Sequence, residues 1–370
     1  ACGDDDEAAA DTQAPLATVP TPSVESSPDA APARARKAAP ARLVIHHVDE
    51  LAAYESFDQV RSLDLALSLV DARTSPLPAG ATIPEEDQCE GVDLARIAER
   101  FSKLESLRIS GCQPAVHSGL QAFAGVRSLE LADLVFDDLT IARVAEMRGL
   151  QSLTLLRVAA TEASTLPLVR KLELRELNLR ELERDSPIGD LLGDLPTLRA
   201  VRLEGAWAGH RAMLSLGKAK KLRRLQLIDT SIGNFSLNQV KLLTELQEVR
   251  WVGETFTDNS PLYLRDLPVQ SLYCDCPRFG DGALKHLRYL PALRELQLER
   301  SRASSEGLGA LAKSEALERA VLGDLELDDQ AFVGLAKLDH LRELDLAGGV
   351  LLDPEIPTLA ELRGLRRLNL

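Results

Sequence analysis

The chain has 370 residues, with 43 Lys plus Arg against 57 Asp plus Glu and a formal net charge of −14. That length allows one large core or two to three ordinary domains, and the acidic balance argues against a general nucleic-acid binder, whose footprint is basic. No run of 18 apolar residues is present, so no segment of this sequence reads as a membrane-spanning helix, and five cysteines do not make a disulfide scaffold.

The first forty residues bury little. Ala1, Cys2 and Gly3 precede Asp4, Asp5, Asp6 and Glu7, and an Ala-, Pro-, Thr- and Ser-rich stretch runs on to Pro40. Such a composition reads as a semi-extended tether. Residues 1–40 carry seven acids and three bases, which leaves the remainder near −10. Cys2, followed by Gly, acids and a tether, resembles the start of a mature bacterial lipoprotein, with Ala1 matching the small residue before the cleavage site. The resemblance implies a lipid on Cys2, placing the chain at the outer membrane of a bacterial cell envelope, periplasmic or surface-exposed. The arm then lets the folded body stand off the membrane. It also implies a precursor with a cleavable apolar signal peptide. The competing reading is a chance cysteine near the start.

From residue 60 onward one pattern recurs: L-x-x-L-x-L, with Val or Ile in places of Leu. The clearest copies begin at Val60, Leu104, Val126, Leu150, Val169, Leu198, Leu222, Leu246, Val269, Leu293, Leu317, Leu341 and Leu365. From Leu198 the spacing is 24 with one 23, whereas the earlier spacings are 44, 22, 24, 19 and 29. The 44-residue gap holds either two coils or one coil with an insertion, and residues 71–90, rich in Pro, Gly and acids, read as that insertion. Leu43 to His47 reads as an additional N-terminal strand. Motif positions 4 and 6 alternate with polar neighbours, the period of a short strand. A second apolar cluster after each strand, such as Leu308, Leu311 and Ala312, has the spacing of one or two helical turns. One coil cannot bury both apolar faces, and stacking makes the core continuous.

This pattern resembles the leucine-rich-repeat family over about residues 43–370. The copies around Asp281, Gly282 and Leu284, and around Glu306, Gly307 and Leu308, look most like its ribonuclease-inhibitor-like branch. The resemblance implies an α/β solenoid, with a parallel β-sheet on the concave side and short helices and turns on the convex side. Most members bind proteins. The family often has Asn or Cys at motif position 9, bonding to backbone inside the turn. Here Cys112 fits, Thr230 and Ser301 are partial substitutes, and most other copies are apolar there.

Motif positions 2, 3 and 5 point outward from the sheet. Position 2 is Arg in eight of thirteen copies, so an acidic protein carries a basic column on its expected working face. One reading is a solvated face on which acids at positions 3 and 5 neutralise the arginines. The other is a partner-binding surface over residues 198–275, where Arg199, Arg202, Arg223, Arg224 and Arg250 cluster beside Tyr273. Trp207 and Trp251, the only two tryptophans, fall in this stretch. Trp251 occupies an inward position and reads as core. Trp207 follows a strand and is the candidate rim contact, since Arg and aromatic residues are the usual interface anchors.

No enzyme chemistry stands out. The six histidines form no H-E-x-x-H pattern, Gly307-Leu308-Gly309 lacks a nucleotide-loop context, and no G-x-S-x-G elbow is present. No metal site or cofactor is expected. Cys89 lies just upstream of the strand before Cys112 and is its candidate disulfide partner. Cys274 and Cys276 read as free, largely buried thiols. The final strand, Leu365 to Leu370, leaves a sheet edge open to self-association or to a partner. The expectation is non-catalytic protein recognition by a membrane-tethered lipoprotein, with two alternatives: an assembly subunit of an envelope complex, or an inhibitor of an enzyme.

Overall fold

A computed structural model describes residues 37–67, 92–160, 171–184, 186–323, 325, 329–348 and 362–370. Among these, one sheet of 14 strands dominates, and its strands follow one another in chain order from Arg42–Ile45 to Arg367–Asn369. Every pairing in it is parallel, and the two-residue-period pattern predicted from the motif is present. In Ser128–Ala132, for example, Leu129 and Leu131 are buried while Ser128 and Glu130 are half-exposed. Parallel neighbours need a crossover, and here it is a short helix or 3-10 segment, such as Leu94–Arg100, Asp138–Glu146 or His210–Leu216.

The register corrects one repeat. The sequence pattern places a copy at Val169, but the strand that pairs with Ser152–Leu156 and Ala200–Glu204 is Glu176–Arg180. The true copy therefore starts at Leu174, and the irregular spacings of 19 and 29 become 24 and 24. Asn178 and not Glu173 occupies position 5, and Arg175 and not Arg170 occupies position 2. The 44-residue gap resolves as well. Ser62–Ala66 pairs directly with Ser106–Ser110, so a single coil joins them. The insertion predicted at 71–90 lies outside the described residues. At the N-terminal end, Lys37–Ala38 pairs with Tyr54–Ser56 and Ala39 is buried, so the folded body begins before residue 41.

After most of the described strands the turn is built on a left-handed position 8; Leu67 and Cys276 do not adopt that conformation, and Cys112 at position 9 shares it with Gly111. Asp133, Arg157, Glu181, Asp229 and Arg300 hold φ values of 47 to 56°, and Gly205 and Gly253 reach 104 and 118°. This left-handed corner turns the chain back toward the core. The position-8 N–H then donates to the position-7 carbonyl of the next coil, as from Asp133 to Leu156 (3.1 Å) and from Asp229 to Val252 (2.9 Å). The backbone ladder thus runs one residue past the strand, and no polar position-9 ladder is needed to satisfy it. The Thr230 hydroxyl, expected to stand in for the family's Asn, is buried without a partner among the described residues.

Leucines at motif positions 1, 4 and 6 form one continuous core, and burying each contributes about 2 kcal/mol. Trp251 is fully buried, as its inward position predicts, and stacks on Phe256 with ring centroids 5.1 Å apart. On the helix side, coils approach closely where glycine removes a side chain. A Cβ built on Gly334 would lie 2.5 Å from the Gly309 Cα, and one on Gly307 would lie 2.9 Å from the Asp281 Cα.

Candidate functional site

The sheet face opposite the helices is organised as columns, one residue per coil. Along position 3 the first strands carry Ser62, Ser106, Ser128 and Ser152, and the charged run Glu176, Ala200, Arg224, Glu248 follows. Position 5 runs Asn178, Arg202, Gln226, Arg250, Tyr273, Gln297 through the middle of the sheet. Charge continues along both columns to the C-terminal strands, through Glu295, Arg319, Glu343 and Arg367 at position 3, while Tyr273 is an aromatic member of position 5 in the middle coils.

Most of the arginines are paired. Arg202 and Arg180 converge on Glu204, at 2.6 and 2.8 Å. Burial acts to raise the Glu204 pKa, but hydrogen bonds from Arg180 and Arg202 outweigh it and hold the carboxyl below its ordinary value. Arg224 pairs with Glu248 on the next strand at 2.5 Å. Arg199 and Arg223 both reach the same oxygen of Glu245, at 3.2 and 3.3 Å. To this extent the face neutralises itself, and exposed pairs of this kind contribute little stability.

Several outward arginines make no ion pair among the described residues, Arg127, Arg342 and Arg366 included, and two places add further groups to such a cation. Arg250 makes no ion pair among the described residues, and its guanidinium stacks over Tyr273, 3.5 Å from the ring centroid. The Tyr273 hydroxyl donates to Glu299 at 2.7 Å, and Gln297 donates to the other oxygen of the same carboxylate. Burial and then the bond to Glu299 push the Tyr273 pKa up to about 12, so the phenol is a neutral donor throughout the physiological range. The second place is an open depression of about 610 Å³ at the N-terminal ends of the central strands, lined by Arg175, Arg199, Lys221, Arg223, Arg224 and Glu248. Arg175 and Lys221 make no ion pair among the described residues, and neither was singled out from the sequence. The fixed 24-residue step was the available signal, because it puts Arg175 in one column with Arg199 and Arg223.

One candidate leaves the surface. Trp207 is not a rim contact: it is buried, and its indole N–H donates to the Glu204 carbonyl at 2.8 Å. The left-handed Gly205 corner folds the chain inward just before it. The ring thereby braces the turn that carries Glu204. Of the sequence candidates, Arg199, Arg223 and Arg224 share the depression, Arg202 sits beside it, and Arg250 with Tyr273 forms a separate centre.

The cysteines divide cleanly. Cys112 is disulfide-bonded, and its candidate partner Cys89 lies outside the described residues, as does Cys2. Cys274 and Cys276 are free and buried, as expected. Burial, then contact with Cys276, pushes the Cys274 thiol well above its ordinary range. Among the described residues no group of three or more His, Cys, Asp or Glu is placed to hold a metal ion, and no helix is long and apolar enough to cross a membrane.

The body is a leucine-rich-repeat-type solenoid. No protein-family model matches the chain, and no curated protein does. Solved structures do. An internalin from Listeria monocytogenes is 16% identical, with 81% of this chain and 99% of that one covered and a TM-score of 0.43. The mouse RP105/MD-1 complex is 15% identical, with 85% of this chain and 70% of that one covered and a TM-score of 0.44. Neither likeness bears on the branch of the family or on the binding surface.

Proposed function

We propose that this protein is a membrane-tethered leucine-rich-repeat lipoprotein of a bacterial cell envelope, anchored through Cys2, that captures a protein partner on its open sheet face. The observation that carries the reading is the Arg250–Tyr273 stack, a cation with no counter-carboxylate among the described residues laid on an aromatic ring of a preformed surface. Arg and Tyr are the residue types that dominate interface energetics, and a surface held by fourteen paired strands costs little ordering on binding. The disulfide at Cys112 supports an oxidising envelope compartment, and Cys89 is its proposed partner.

The test is crosslinking and pull-down from native membranes with the intact chain, compared with Arg250→Ala and Tyr273→Ala. The expected result is one enriched partner that both variants lose while their thermal unfolding stays unchanged. Enrichment that survives both substitutions overturns the site. A precursor whose Cys2 takes up no radiolabelled palmitate overturns the anchor. Stoichiometric co-purification of a fixed complex after detergent extraction would instead identify an assembly subunit.

A further inference from the structure

The depression at the N-terminal ends of the central strands holds a second recognition element, which rests on the protein-capture reading above and gives the partner a chemistry. Five cations surround it: Arg175, Arg199, Lys221, Arg223 and Arg224. The carboxylates acting on them are Glu245, shared by Arg199 and Arg223, Glu248 on Arg224, and Glu176, whose field reaches Arg224. Two positive charges are left over, concentrated on a recessed surface of a chain whose net charge is −14.

The column is fixed at its backbone. Arg175, Arg199 and Arg223 are consecutive members of one column. Each backbone carbonyl in the pair Arg175 and Arg199 accepts two N–H groups of the following strand at 2.8 and 2.9 Å. The column therefore repeats at the strand spacing, and its outer members are about 10 Å apart. The one point on which two members of the row converge is filled by the Glu245 carboxylate, which a single phosphate would have to displace from both arginines. A row of this length matches an extended peptide of about four residues, whose rise is about 3.4 Å each. A nucleic-acid backbone is disfavoured by the acids interleaved with the arginines and by the acidic body around them.

We propose that this depression binds an extended acidic segment of a partner protein, a short run of Asp or Glu side chains laid across the strands, with Arg175 and Lys221 taking carboxylates directly and Glu245 giving up one of its two arginines to the incoming chain. The exchange involves side chains that are partly exposed, Arg199, Arg223 and Glu245. It also makes the interaction salt-sensitive, since every contact is a partly exposed ion pair.

The experiment is a fluorescence-anisotropy titration of the full chain with a fluorescein-labelled tetraglutamate peptide flanked by glycines, at low and at physiological ionic strength. Saturable binding is expected, weakening as salt rises. The double variant Arg175→Glu with Arg223→Glu is expected to bind about tenfold more weakly or worse, because it sets like charges against the ligand. Arg342→Glu with Arg366→Glu, which changes the net charge equally in the same column at the far end, is expected to bind as the parent does. Arg175→Gln with Arg223→Gln should fall between parent and reversal, and it covers a reversal that fails to fold. No saturable binding, or equal loss in the two charge-reversed doubles, overturns the proposal. So does tighter, Arg175-dependent binding to phosphatidylglycerol vesicles or to inorganic phosphate. Partner capture that Tyr273→Ala abolishes but Arg175→Glu with Arg223→Glu leaves intact would remove the acidic segment while keeping the recognition face.

Discussion

Asp133 tests how the corners are held. It occupies a left-handed position at φ 56°, and its carboxylate takes two bonds from Arg157, at 2.7 and 2.9 Å, and one from Ser110 at 3.0 Å. Both charged residues are buried. Removing one member of a buried pair costs about 3–5 kcal/mol because the other charge stays behind unpaired. Glu181 lies 3.7 Å from the Arg157 guanidinium and takes over part of the charge, so the low end, about 3 kcal/mol, applies to Asp133→Asn. Asn tolerates the left-handed backbone, whereas Ala adds about 1 kcal/mol for it, which brings Asp133→Ala to about 4 kcal/mol. Arg157→Asn strands the carboxylate instead. The double variant Asp133→Asn with Arg157→Asn strands neither charge, so its cost falls at least about 1.5 kcal/mol short of the sum of the singles. Urea unfolding followed by far-UV circular dichroism, with m compared across variants, gives all three values. A loss below about 0.5 kcal/mol for Asp133→Asn, or singles that add within about 0.5 kcal/mol, refutes the claim that this pair secures the corner.

Other outcomes follow from the same geometry. The Tyr273 pKa lies above its ordinary 10.0, at about 12. Its neutral form is favoured by folding, so its contribution to stability is complete below pH 10 and is lost as the pH rises toward about 12. The difference between parent and Tyr273→Phe absorbance titrations should therefore show a phenolate midpoint near 12, and a midpoint at 10 contradicts the buried bond to Glu299. Glu204 is shifted the other way. Its contribution is present above the ordinary carboxyl pKa of 4.5 and is lost as the pH falls through its lower folded value. Glu204→Gln should thus flatten the acid limb of a stability–pH curve, and an unchanged limb would count against the Arg180–Glu204–Arg202 cluster. Gly334→Ala should destabilise by about 1–3 kcal/mol through its collision with the Gly309 backbone. Gly309→Ala, with open space at its Cβ, should be neutral or stabilise by up to about 1 kcal/mol. Equal effects at the two glycines would contradict the stacking. Cys274 and Cys276 should resist a thiol reagent in the folded chain, and Cys274→Ala with Cys276→Ala should remove two thiols from the count released by denaturant. Reaction of either thiol under native conditions would contradict their burial.

The strand positions were legible because an inward leucine pair with polar neighbours has a single reading as a half-buried strand. The register in the fifth copy was not. Val169 to Leu174 and Leu174 to Leu179 both satisfy the motif, five residues apart; the constant 24-residue step favours the second, and pairing to the flanking strands decides for it. That ambiguity hid Arg175, which carries an open charge in the depression. The fate of Trp207 was hidden for a different reason. A tryptophan one residue beyond a turn reads as rim, and the inward swing depends on the φ of Gly205, which the sequence does not display. The corners themselves were missed because position 8 accepts Gly, Asp, Glu and Arg alike. Its requirement is a backbone conformation met by the cross-coil ladder, and no residue type marks it. The arginine column had one wrong member, Arg170 in place of Arg175, and which members keep their charge available depends on where Glu245 and Glu248 reach.

The constant register gives the binding face a graduated length. Neighbouring central strands meet through the same backbone bonds, so duplicating or deleting one 24-residue unit there would restore the pairing of the sheet. The depression then grows or shrinks by one strand spacing, about 4.8 Å. A copy of the unit beginning at Leu198 would insert one more arginine into the row, and the accommodated acidic segment would lengthen by one to two residues. On that proposal, the length of ligand accepted would change in integer steps, each adding or removing one contacting arginine.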